Sequence, residues 1–494
     1  MIAGIDVGTT GCKCTVCDVD GTILAECYDE YFTDVQGSYG SLQPEVVWHS
    51  VKKVLASAAK GLPLQAIGIT SFGEAPVLLD ENDRPVMPSI LYTDTRGQAE
   101  CEELVEKIGA NRIAQLTGTA PHSMYSICKL MWVFRNQPEL SKKVSKIFLF
   151  ADYIVYMLSG VAQMDYSLAA RTMAFDVYKR DWCDEILEQA GIEKSKFPPT
   201  VPSGTKAGVI RQSVAEELGL SPEVMVVTGC HDQVAASLGT GIMKDGMAVD
   251  GTGTVECITS MFSRKPDTAK LQKSNYAVVP YVLPDSYVCY AFSFTGGALL
   301  KWFRDQFGLL ETIVAKQCGM NFYEHMNQKL GDVPSGLLVL PYFAGAATPY
   351  MDIDAKGAIL GLSLDTTAEE IYRALMEGVT YEMLLNLERL QEAGVYINEL
   401  RATGGGATSE VWLQMKADIL NCKIITLGNA QSGTLGCIML AGVACGLYEN
   451  IQQAQKKLVK LGKEYYPRSE QHEIYMHYYN VYKKIYAATK SIGI

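Results

Sequence analysis

Apolar and polar residues alternate along the start of the chain, which is the pattern of β-strands. The alternation predicts three strands, at residues 2–5, 13–19 and 22–28. An Asp20-Gly21 pair separates the last two and predicts a hairpin turn. Apolar residues at helical spacing then fill residues 44–61, and an apolar run at 64–72 predicts a buried strand. Three antiparallel strands, a helix and a further strand form a mixed α/β layer.

The first strand runs directly into a tight turn, in the stretch "GIDVGTTGCK". Asp6 ends the apolar run, and Gly8, Thr9 and Thr10 follow it. A turn of small residues leaves backbone N–H groups exposed, and such groups can form a nest for phosphate oxygens. A simple β-hairpin with a glycine turn explains the same residues equally well.

The same pattern returns near the middle of the chain, in "MAVDGTGTVECITS". Asp250 takes the place of Asp6, and Thr252 and Gly253 stand in a turn like the first. This internal similarity predicts a duplicated fold, with each half supplying one phosphate turn to a shared cleft. The predicted domains are residues 1–245 and 246–494.

Composition narrows the function classes. The chain has 494 residues, 48% of them hydrophobic and 20% charged, which is typical of a globular protein of two domains. Its formal net charge of −12 argues against a nucleic-acid partner. No stretch resembles a signal peptide or a membrane span, and the fourteen scattered cysteines are typical of reduced thiols in a cytoplasmic protein. Cys12, Cys14 and Cys17 fall within a strand pattern, which disfavours a zinc site.

A third segment, "EVMVVTGCHDQ", carries a candidate base. A buried strand ends near Gly229, so Asp232 is expected just beyond a carboxyl end of the sheet, where α/β proteins bind ligands. A carboxylate there can accept a proton from a hydroxyl group, with Gln233 beside it. Asp232 could equally be a helix N-cap. His231 is predicted to be structural.

Two glycine-rich segments complete the set. "LRATGGGATSEVWLQMKADIL" predicts a strand, a loop that a flat ring can approach closely, and a helix. A small-residue helix at 432–442 is expected to line the same pocket. Neither a G-x-x-x-x-G-K-[ST] loop nor an H-R-D loop occurs, which leaves P-loop and protein-kinase folds unsupported.

Together these segments resemble the FGGY carbohydrate kinases of the actin/sugar-kinase/Hsp70 superfamily, over nearly the whole chain. The motifs that carry the resemblance are, in order, "DVGTT", "LQPEVVW", "LYTDTR", "MYSICKLMW", "GCHDQ", "GTGT", "TGGALLKWF", "PYFAGAATP", "GAILGL", "IYRALMEGV" and "GGGA". The resemblance implies an α/β fold of two duplicated ribonuclease-H-like domains, as in actin-like ATPases, with a central cleft.

The resemblance also implies an ATP-dependent kinase that phosphorylates a terminal hydroxyl of a small sugar or polyol. Asp232 would be the general base, and Asp6, together with Asp232, would hold Mg²⁺. The residues implied to contact the nucleotide and its phosphates are Gly8, Thr9, Thr10, Lys13, Thr252, Gly253, Gly297, Gly405, Gly406 and Ala407. Phosphoryl transfer needs positioning and charge neutralisation, which fits these roles.

Substrate specificity is expected in the first half, around Glu74. Xylulokinases usually carry a histidine at this spot and glycerol kinases an Arg-Glu pair, whereas this chain has Gly73 and Glu74. The candidate substrate contacts are Phe72, Gly73, Glu74, Asp94, Met124, Asp232 and Gln233, with Tyr92 and Arg96 as further pocket walls. Asp94 and Arg96 could also simply pair with each other.

The resulting prediction is a cytoplasmic carbohydrate kinase acting on a ketopentose such as xylulose, with glycerol or a tetritol as the alternative. A chaperone-like ATPase and a non-catalytic sugar sensor are alternatives of another class. A homodimer is common in the family, but no feature of the sequence decides the oligomeric state.

Overall fold

The computed structural model describes residues 1–37, 39–264, 266–428 and 431–493. The strands of residues 1–243 are β1 (Ile2–Val7), β2 (Gly11–Cys17), β3 (Ile23–Glu30), β4 (Asp34–Gln36), β5 (Tyr39–Leu42), β6 (Ala66–Ser71), β7 (Val77–Leu79), β8 (Ser89–Ile90), β9 (Lys146–Phe148), β10 (Met164–Asp165), β11 (Phe175–Asp176), β12 (Asp181–Trp182), β13 (Thr200–Val201), β14 (Lys206–Val209) and β15 (Met225–His231). The helices of this part are α1 (Pro44–Ala58), α2 (Gln98–Ile108), α3 (Ala110–Thr117), α4 (Ser126–Asn136), α5 (Pro138–Ser141), α6 (Phe150–Ser159), α7 (Tyr166–Ala170), α8 (Asp184–Ala190), α9 (Gln212–Leu218) and α10 (Asp232–Gly239).

The strands of the remaining residues are β16 (Gly246–Thr252), β17 (Glu256–Phe262), β18 (Val278–Pro280), β19 (Tyr287–Ser293), β20 (Leu338–Leu340), β21 (Ala358–Leu360), β22 (Ile397–Thr403), β23 (Lys423–Leu427) and β24 (Leu461–Tyr465). The helices are α11 (Thr268–Lys273), α12 (Gly297–Phe307), α13 (Leu309–Gln317), α14 (Phe322–Lys329), α15 (Ala368–Glu392), α16 (Glu410–Leu420), α17 (Ser432–Ala444), α18 (Ile451–Leu458), α19 (Ser469–Tyr482) and α20 (Ile485–Ser491). None of the helices in the described ranges is long and apolar enough to span a bilayer.

The chain divides into two compact units, and each unit is built from three segments. The first comprises residues 1–243, 277–288 and 431–460, and the second comprises 244–276, 289–430 and 461–494. The predicted domains, by contrast, are continuous stretches that meet after residue 245. The assignment of substrate binding to residues 1–245 and of nucleotide binding to residues 246–494 stays a prediction.

Each unit contains a central mixed sheet with the same core arrangement. In the first unit the strand order is β14-β15-β6-β1-β2-β3, and β1 pairs antiparallel with β2 and parallel with β6. In the second unit the strands β19-β17-β16-β22-β23-β24 follow one another, and β16 pairs antiparallel with β17 and parallel with β22. The predicted α/β fold with internal duplication is therefore confirmed.

Small residues bring α17 into the first unit. The sequence places this helix at a pocket beside the triple glycine, but it packs instead on β1, β6 and α10. A Cβ atom on Gly436 would lie 2.0 Å from the backbone oxygen of Ala235 in α10, so only glycine allows the two helices to approach this closely. The helix thus helps to fix α10, which begins with Asp232.

Candidate active site

Hydrogen bonds within the protein occupy three carbonyl groups of the turn between β1 and β2. The N–H of Gly8 donates to the carbonyl of Gly11 at 2.9 Å, which closes the turn. Tyr31 holds two other carbonyls, because its hydroxyl donates to Gly8 O at 2.6 Å and its N–H donates to Thr10 O at 3.0 Å. Because these oxygens are already bound to Tyr31, the turn can present N–H groups to an anion.

Asp6 and Lys13 face each other across the same hairpin. They are directly paired in the register of β1 and β2, and the Lys13 ammonium donates to Gln431 Oε1 at 2.7 Å. Burial raises the pKa of Asp6 to about 6, although Lys13 lowers it. Thr9 and Thr10 at the tip of the turn are half-buried and exposed, respectively. This arrangement places a carboxylate and an ammonium beside the candidate phosphate turn.

A β-bulge aims Asp232 out of the sheet. The register of β15 against β6 shifts at Gly229, where a Cβ atom would lie only 1.7 Å from Ile69 O. Bulges redirect the side chains that follow them, and they are frequent beside active sites. Helix α10 begins at Asp232 itself, and His231, the residue before the helix, makes no capping bond with its side chain. Asp232 therefore does not act as the N-cap of this helix.

The Asp232 carboxylate lies in a strongly perturbing environment. A third of the side chain is exposed, but Oδ1 is fully buried and makes no hydrogen bond, and His231 Nε2 lies 3.3 Å from it. Burial, followed by the charges of Asp6 and Glu74, raises the pKa of Asp232 to about 7. Burial, followed by the charge of Arg171, keeps the pKa of His231 well below its usual value, so the imidazole beside Asp232 is neutral. A carboxyl group with a pKa near neutrality suits proton transfer at physiological pH.

Glu74 lies in a strained and buried position. Its φ of 65° is in the left-handed region, which side-chain-bearing residues rarely adopt, and only 4% of the residue is exposed. The Ser126 hydroxyl donates to the carbonyl of Glu74 at 2.6 Å. Burial raises the pKa of the carboxyl group, and the neighbouring Arg171 lowers it. Strained backbone of this kind clusters at functional sites.

Arg171 is the partner of Glu74, and the sequence did not identify it as a site residue. Its Nε donates to Glu74 Oε1 at 2.5 Å, its Nη2 contacts the same oxygen, and its guanidinium lies 5.1 Å from the ring centre of Tyr125. Gly73 makes room for it, because a Cβ atom there would lie 2.8 Å from Arg171 Cγ. Arg171 follows α7 in the stretch "AARTMAFD". The arginine among these apolar and small residues was the feature of the sequence that could have indicated a buried ion pair.

Two of the other predicted substrate contacts, Asp94 and Phe72, have side chains that contact other residues of the protein. Asp94 accepts from Arg96 Nε and Nη2 at 2.9 and 2.5 Å and from the Gly40 N–H at 2.8 Å, so the pair holds neighbouring loops. Phe72 is buried, with its ring centre 5.1 Å from that of Phe150.

Three more residues have side chains that are partly open. Met124 and Gln233 are half-buried, and Tyr92 is 37% exposed. Burial, then the charges of Glu74 and Asp232, raises the pKa of Tyr92, so its ring belongs to the neighbourhood of these carboxylates. The first unit therefore brings together Asp6, Tyr92, Glu74, Arg171, His231 and Asp232.

The second unit contains a cavity of about 810 Å³. Its lining includes five of the residues that the resemblance implies for the nucleotide: Thr252, Gly253, Gly297, Gly405 and Gly406. Ala407 is not part of the lining. The aromatic side chains of Trp302 and Tyr323, which no sequence pattern assigned to the site, also border the cavity. So does Trp412, which lies on the predicted helix after the glycine loop. Its size and its mixture of aromatic and small residues are typical of a small-molecule site.

Comparisons with known proteins agree with this geometry. Residues 1–239 match the N-terminal domain of the FGGY family of carbohydrate kinases, and residues 247–445 match its C-terminal domain. A xylulose kinase from Bacillus subtilis (strain 168) is 28% identical over all of this chain and 98% of its own length. A gluconokinase from the same organism is 30% identical over 90% of this chain and 87% of its own length.

A solved structure, the gluconate kinase from Lactobacillus acidophilus, superposes with a TM-score of 0.89 at 23% identity and covers 99% of this chain and 97% of its own. The duplicated units thus have the fold of actin-like ATPases. The chain belongs to the FGGY family of carbohydrate kinases. It is an enzyme that phosphorylates a small sugar or polyol, rather than a chaperone or a sensor.

Proposed function

We propose that the chain transfers the γ-phosphoryl group of ATP to a terminal hydroxyl of a neutral ketopentose such as xylulose, with Asp232 as the general base. The single observation that carries this proposal is the Asp232 carboxylate, with its pKa raised to about 7, in the same neighbourhood as the buried Glu74–Arg171 pair. The first unit would hold the sugar, and the cavity of the second unit would hold the nucleotide.

In the proposed reaction Asp232 accepts the proton of the substrate hydroxyl as its oxygen attacks the γ-phosphorus. The bond from that phosphorus to the β,γ-bridging oxygen breaks, and ADP leaves with the electron pair. The N–H groups of the β1–β2 turn and the Lys13 ammonium would bind phosphate oxygens, which lowers the energy of the charge that develops there. Glu74 would accept hydrogen bonds from sugar hydroxyls.

The residues present fit a magnesium ion. Asp6 and Asp232 offer carboxylate oxygens, the ligands that Mg²⁺ prefers, and Asp232 Oδ1 is buried without a hydrogen bond. Asp6 raises the pKa of Asp232, so the two carboxylates repel each other, and a nearby cation would relieve this repulsion. When bound, the ion would neutralise charge on the phosphate oxygens.

The charges around Glu74 favour a neutral sugar over an aldonate such as gluconate. Arg171 is engaged by Glu74, and Lys129 donates to the carbonyls of Asp94 and Arg96 at 2.6 and 2.5 Å. The carboxylate of gluconate would therefore approach acidic groups without an uncommitted cation among these residues. Neutral hydroxyl groups carry no such penalty.

Glycerol or a tetritol is the second candidate, because of Arg171. The resemblance associates glycerol with an Arg-Glu pair, and Arg171 sets a guanidinium beside Glu74 although residue 73 is glycine. A cytoplasmic location is proposed on the fourteen free thiols. The homodimer stays a prediction.

A coupled assay of ADP release across D-xylulose, gluconate, glycerol and erythritol tests the proposal. We expect the highest kcat/KM with the ketopentose and no turnover in the Asp232→Asn variant with any of them. Higher kcat/KM with gluconate would refute the charge argument, and near-normal turnover of the variant would refute the assignment of the base.

A further inference from the structure

A buried lysine lies directly behind the glycine-threonine turn of the second unit. Lys416 is 1% exposed, and its ammonium donates to three acceptors: Asp250 Oδ2 at 2.7 Å, Thr252 Oγ1 at 2.6 Å and Glu256 Oε1 at 2.9 Å. An ammonium has three protons, so all of its donor capacity is used. Neither the proposed base nor the proposed sugar contacts involve this cluster.

The cluster joins three elements of the fold at one point. Lys416 comes from α16, Asp250 and Thr252 from β16, and Glu256 from β17, where it is paired with Thr252 in the register of the two strands. The lysine therefore ties the last residue of β16 to the first residue of β17. The turn between them, at 253–255, contributes to the lining of the 810 Å³ cavity.

The hydroxyl group of Thr252 is committed to this cluster. Thr252 Oγ1 accepts from Lys416 and donates to Asp250 Oδ1 at 3.2 Å. A phosphate oxygen can only accept a hydrogen bond, and the single proton of this hydroxyl already points to Asp250. Thr252 thus acts on the turn through its fixed position, whereas Thr254, which is exposed, also belongs to the lining of the cavity.

The glycine loop holds Thr252 from another direction. A Cβ atom on Gly406 would lie 2.6 Å from Cβ and Cγ2 of Thr252, so the loop and the threonine are in the closest contact that glycine permits. Trp412, which also lines the cavity, has its ring centre 5.0 Å from the Lys416 ammonium. A shift of Thr252 would therefore displace two walls of the cavity together.

The positive charge of Lys416 compensates the buried carboxyl groups of Asp250 and Glu256. Burial raises the pKa of Glu256 to about 8, even though Lys416 lowers it. Burial lowers the pKa of Lys416, but Asp250 and Glu256 together raise it above its usual value. The ammonium lies within 2.9 Å of a carboxyl oxygen of both acids. Without it, two buried carboxyl groups would stand without a cation behind the turn that is proposed to receive phosphate oxygens.

We propose that Lys416 is a positioning residue for nucleotide binding: it fixes Thr252 against the glycine loop and neutralises the acidic pair behind the turn. The proposal rests on the proposed function only in taking the ligand of the cavity to be ATP or ADP. Its effect is expected on the nucleotide and not on the sugar, because the whole cluster lies in the second unit.

The test compares Lys416→Met with Lys416→Arg in the full chain, by calorimetric titration with ADP and by the KM for each substrate. Hydrogen bonds to charged groups are strong enough that losing them should weaken ADP binding about ten- to a hundredfold, with less than a twofold change in the sugar KM. Lys416→Arg keeps the charge and should restore at least part of the affinity. A merely structural lysine would change both KM values alike and lower the melting temperature without this split.

Lys416→Met leaves two buried carboxyl groups without a cation, so that variant can fail to fold. The double variant Asp250→Asn/Lys416→Met removes one of these carboxyl groups together with the cation. The folded double variant should still bind ADP weakly, since Thr252 has lost its ammonium partner. Wild-type affinity in either folded variant would overturn the proposal. If the wild-type chain itself bound neither ADP nor ATP, the proposed nucleotide would be wrong. That outcome would refute the proposed function, and it is distinguishable from a failure of the Lys416 proposal.

Discussion

Arg171 Nε lies 2.5 Å from Glu74 Oε1, and this ion pair is buried, with 7% and 5% of the two side chains exposed. The residues are 97 positions apart in the chain. Gly73 directly precedes Glu74, and a Cβ atom there would lie 2.8 Å from Arg171 Cγ, so Arg171 fills the space that a side chain at 73 would need. The pair therefore fixes a carboxylate in the neighbourhood of Asp232, in an orientation that the chain could not hold with a larger residue at 73.

Arg171→Met should damage the sugar site selectively. A buried carboxylate that loses its partner costs about 3 to 5 kcal/mol, and Glu74 would become protonated or turn away. We expect at least a tenfold loss of kcat/KM for the sugar and little change in the KM for ATP. Steady-state kinetics in both substrates measure this, and Glu74→Gln/Arg171→Met is the matched control, which should recover stability but not sugar affinity. Equal changes in both KM values would place the pair outside the sugar site.

Gly73→Ala tests the packing of the same pair without removing a charge. The added Cβ atom would lie 2.8 Å from Arg171 Cγ and 3.1 Å from His231 Cδ2, so Arg171 has to move. We expect a severalfold higher sugar KM. Gly331→Ala is the matched control, because a Cβ atom there meets nothing within 4 Å. If the two variants had the same kinetics, the close approach at Gly73 would not control the site.

Local patterns predicted the sheet and the turns because they depend on neighbouring residues. The alternation near the N-terminus placed β1 and β2 within a few residues of Ile2–Val7 and Gly11–Cys17, and the repeat at Asp250 identified the second half of the fold. The carboxylates of Asp6 and Asp232 were found for the same reason, since each lies at the end of an apolar strand.

Ion pairs between residues that are far apart in the chain could not be predicted from such local patterns. Lys416 is 166 positions from Asp250, and helical periodicity shows only that it falls among buried residues of α16. A signal was present, because Asp250 interrupts the apolar run of a buried strand and a buried charge requires a partner. The sequence gives no means to choose that partner among 43 lysines and arginines. Arg171 escaped notice for the same physical reason.

Asp232→Asn should abolish phosphoryl transfer and at the same time change the pH dependence of stability. The pKa of Asp232 is about 7 in the folded chain and about 3.9 in an unfolded one, so protonation is favoured by folding. The stability that this group contributes is full below pH ~4 and is lost as the pH rises through 7. Asparagine stays neutral, so the variant should gain stability over the wild type between pH 5 and pH 8. Melting temperatures across this range measure the gain.

The control for that experiment is Asp285→Asn, since the Asp285 side chain is 96% exposed. Asp285 Oδ1 lies 3.3 Å from Arg180 Nη2, so this substitution removes a favourable contact and should bring no gain in stability. A flat difference between Asp232→Asn and the wild type would mean that the Asp232 carboxyl group is not perturbed in the folded protein.

The pH dependence of the reaction should follow the same group. A general base has to be deprotonated, so kcat/KM for the sugar should rise with pH and level off above about 7, because this ratio reports the free enzyme. Asp6, with a pKa near 6, interacts with Asp232, so the rise belongs to the pair and extends over more than one pH unit. Initial rates with both the sugar and ATP far below their KM values, from pH 5 to 9, measure it. A profile that is already flat at pH 5 would contradict the assignment of the base.

Asp6→Asn separates the electrostatic and the metal roles of this carboxylate. Asp6 raises the pKa of Asp232, so its neutralisation should move the rise of kcat/KM to lower pH, whatever ion is bound. If Asp6 also holds Mg²⁺, half-maximal activity should need at least tenfold more magnesium than in the wild type, because one of its few protein ligands is lost. A magnesium titration at pH 8, where Asp232 is ionised in both proteins, isolates the second effect. Unchanged magnesium dependence together with a shifted pH profile would leave Asp6 as an electrostatic neighbour of the base and exclude it from the metal site.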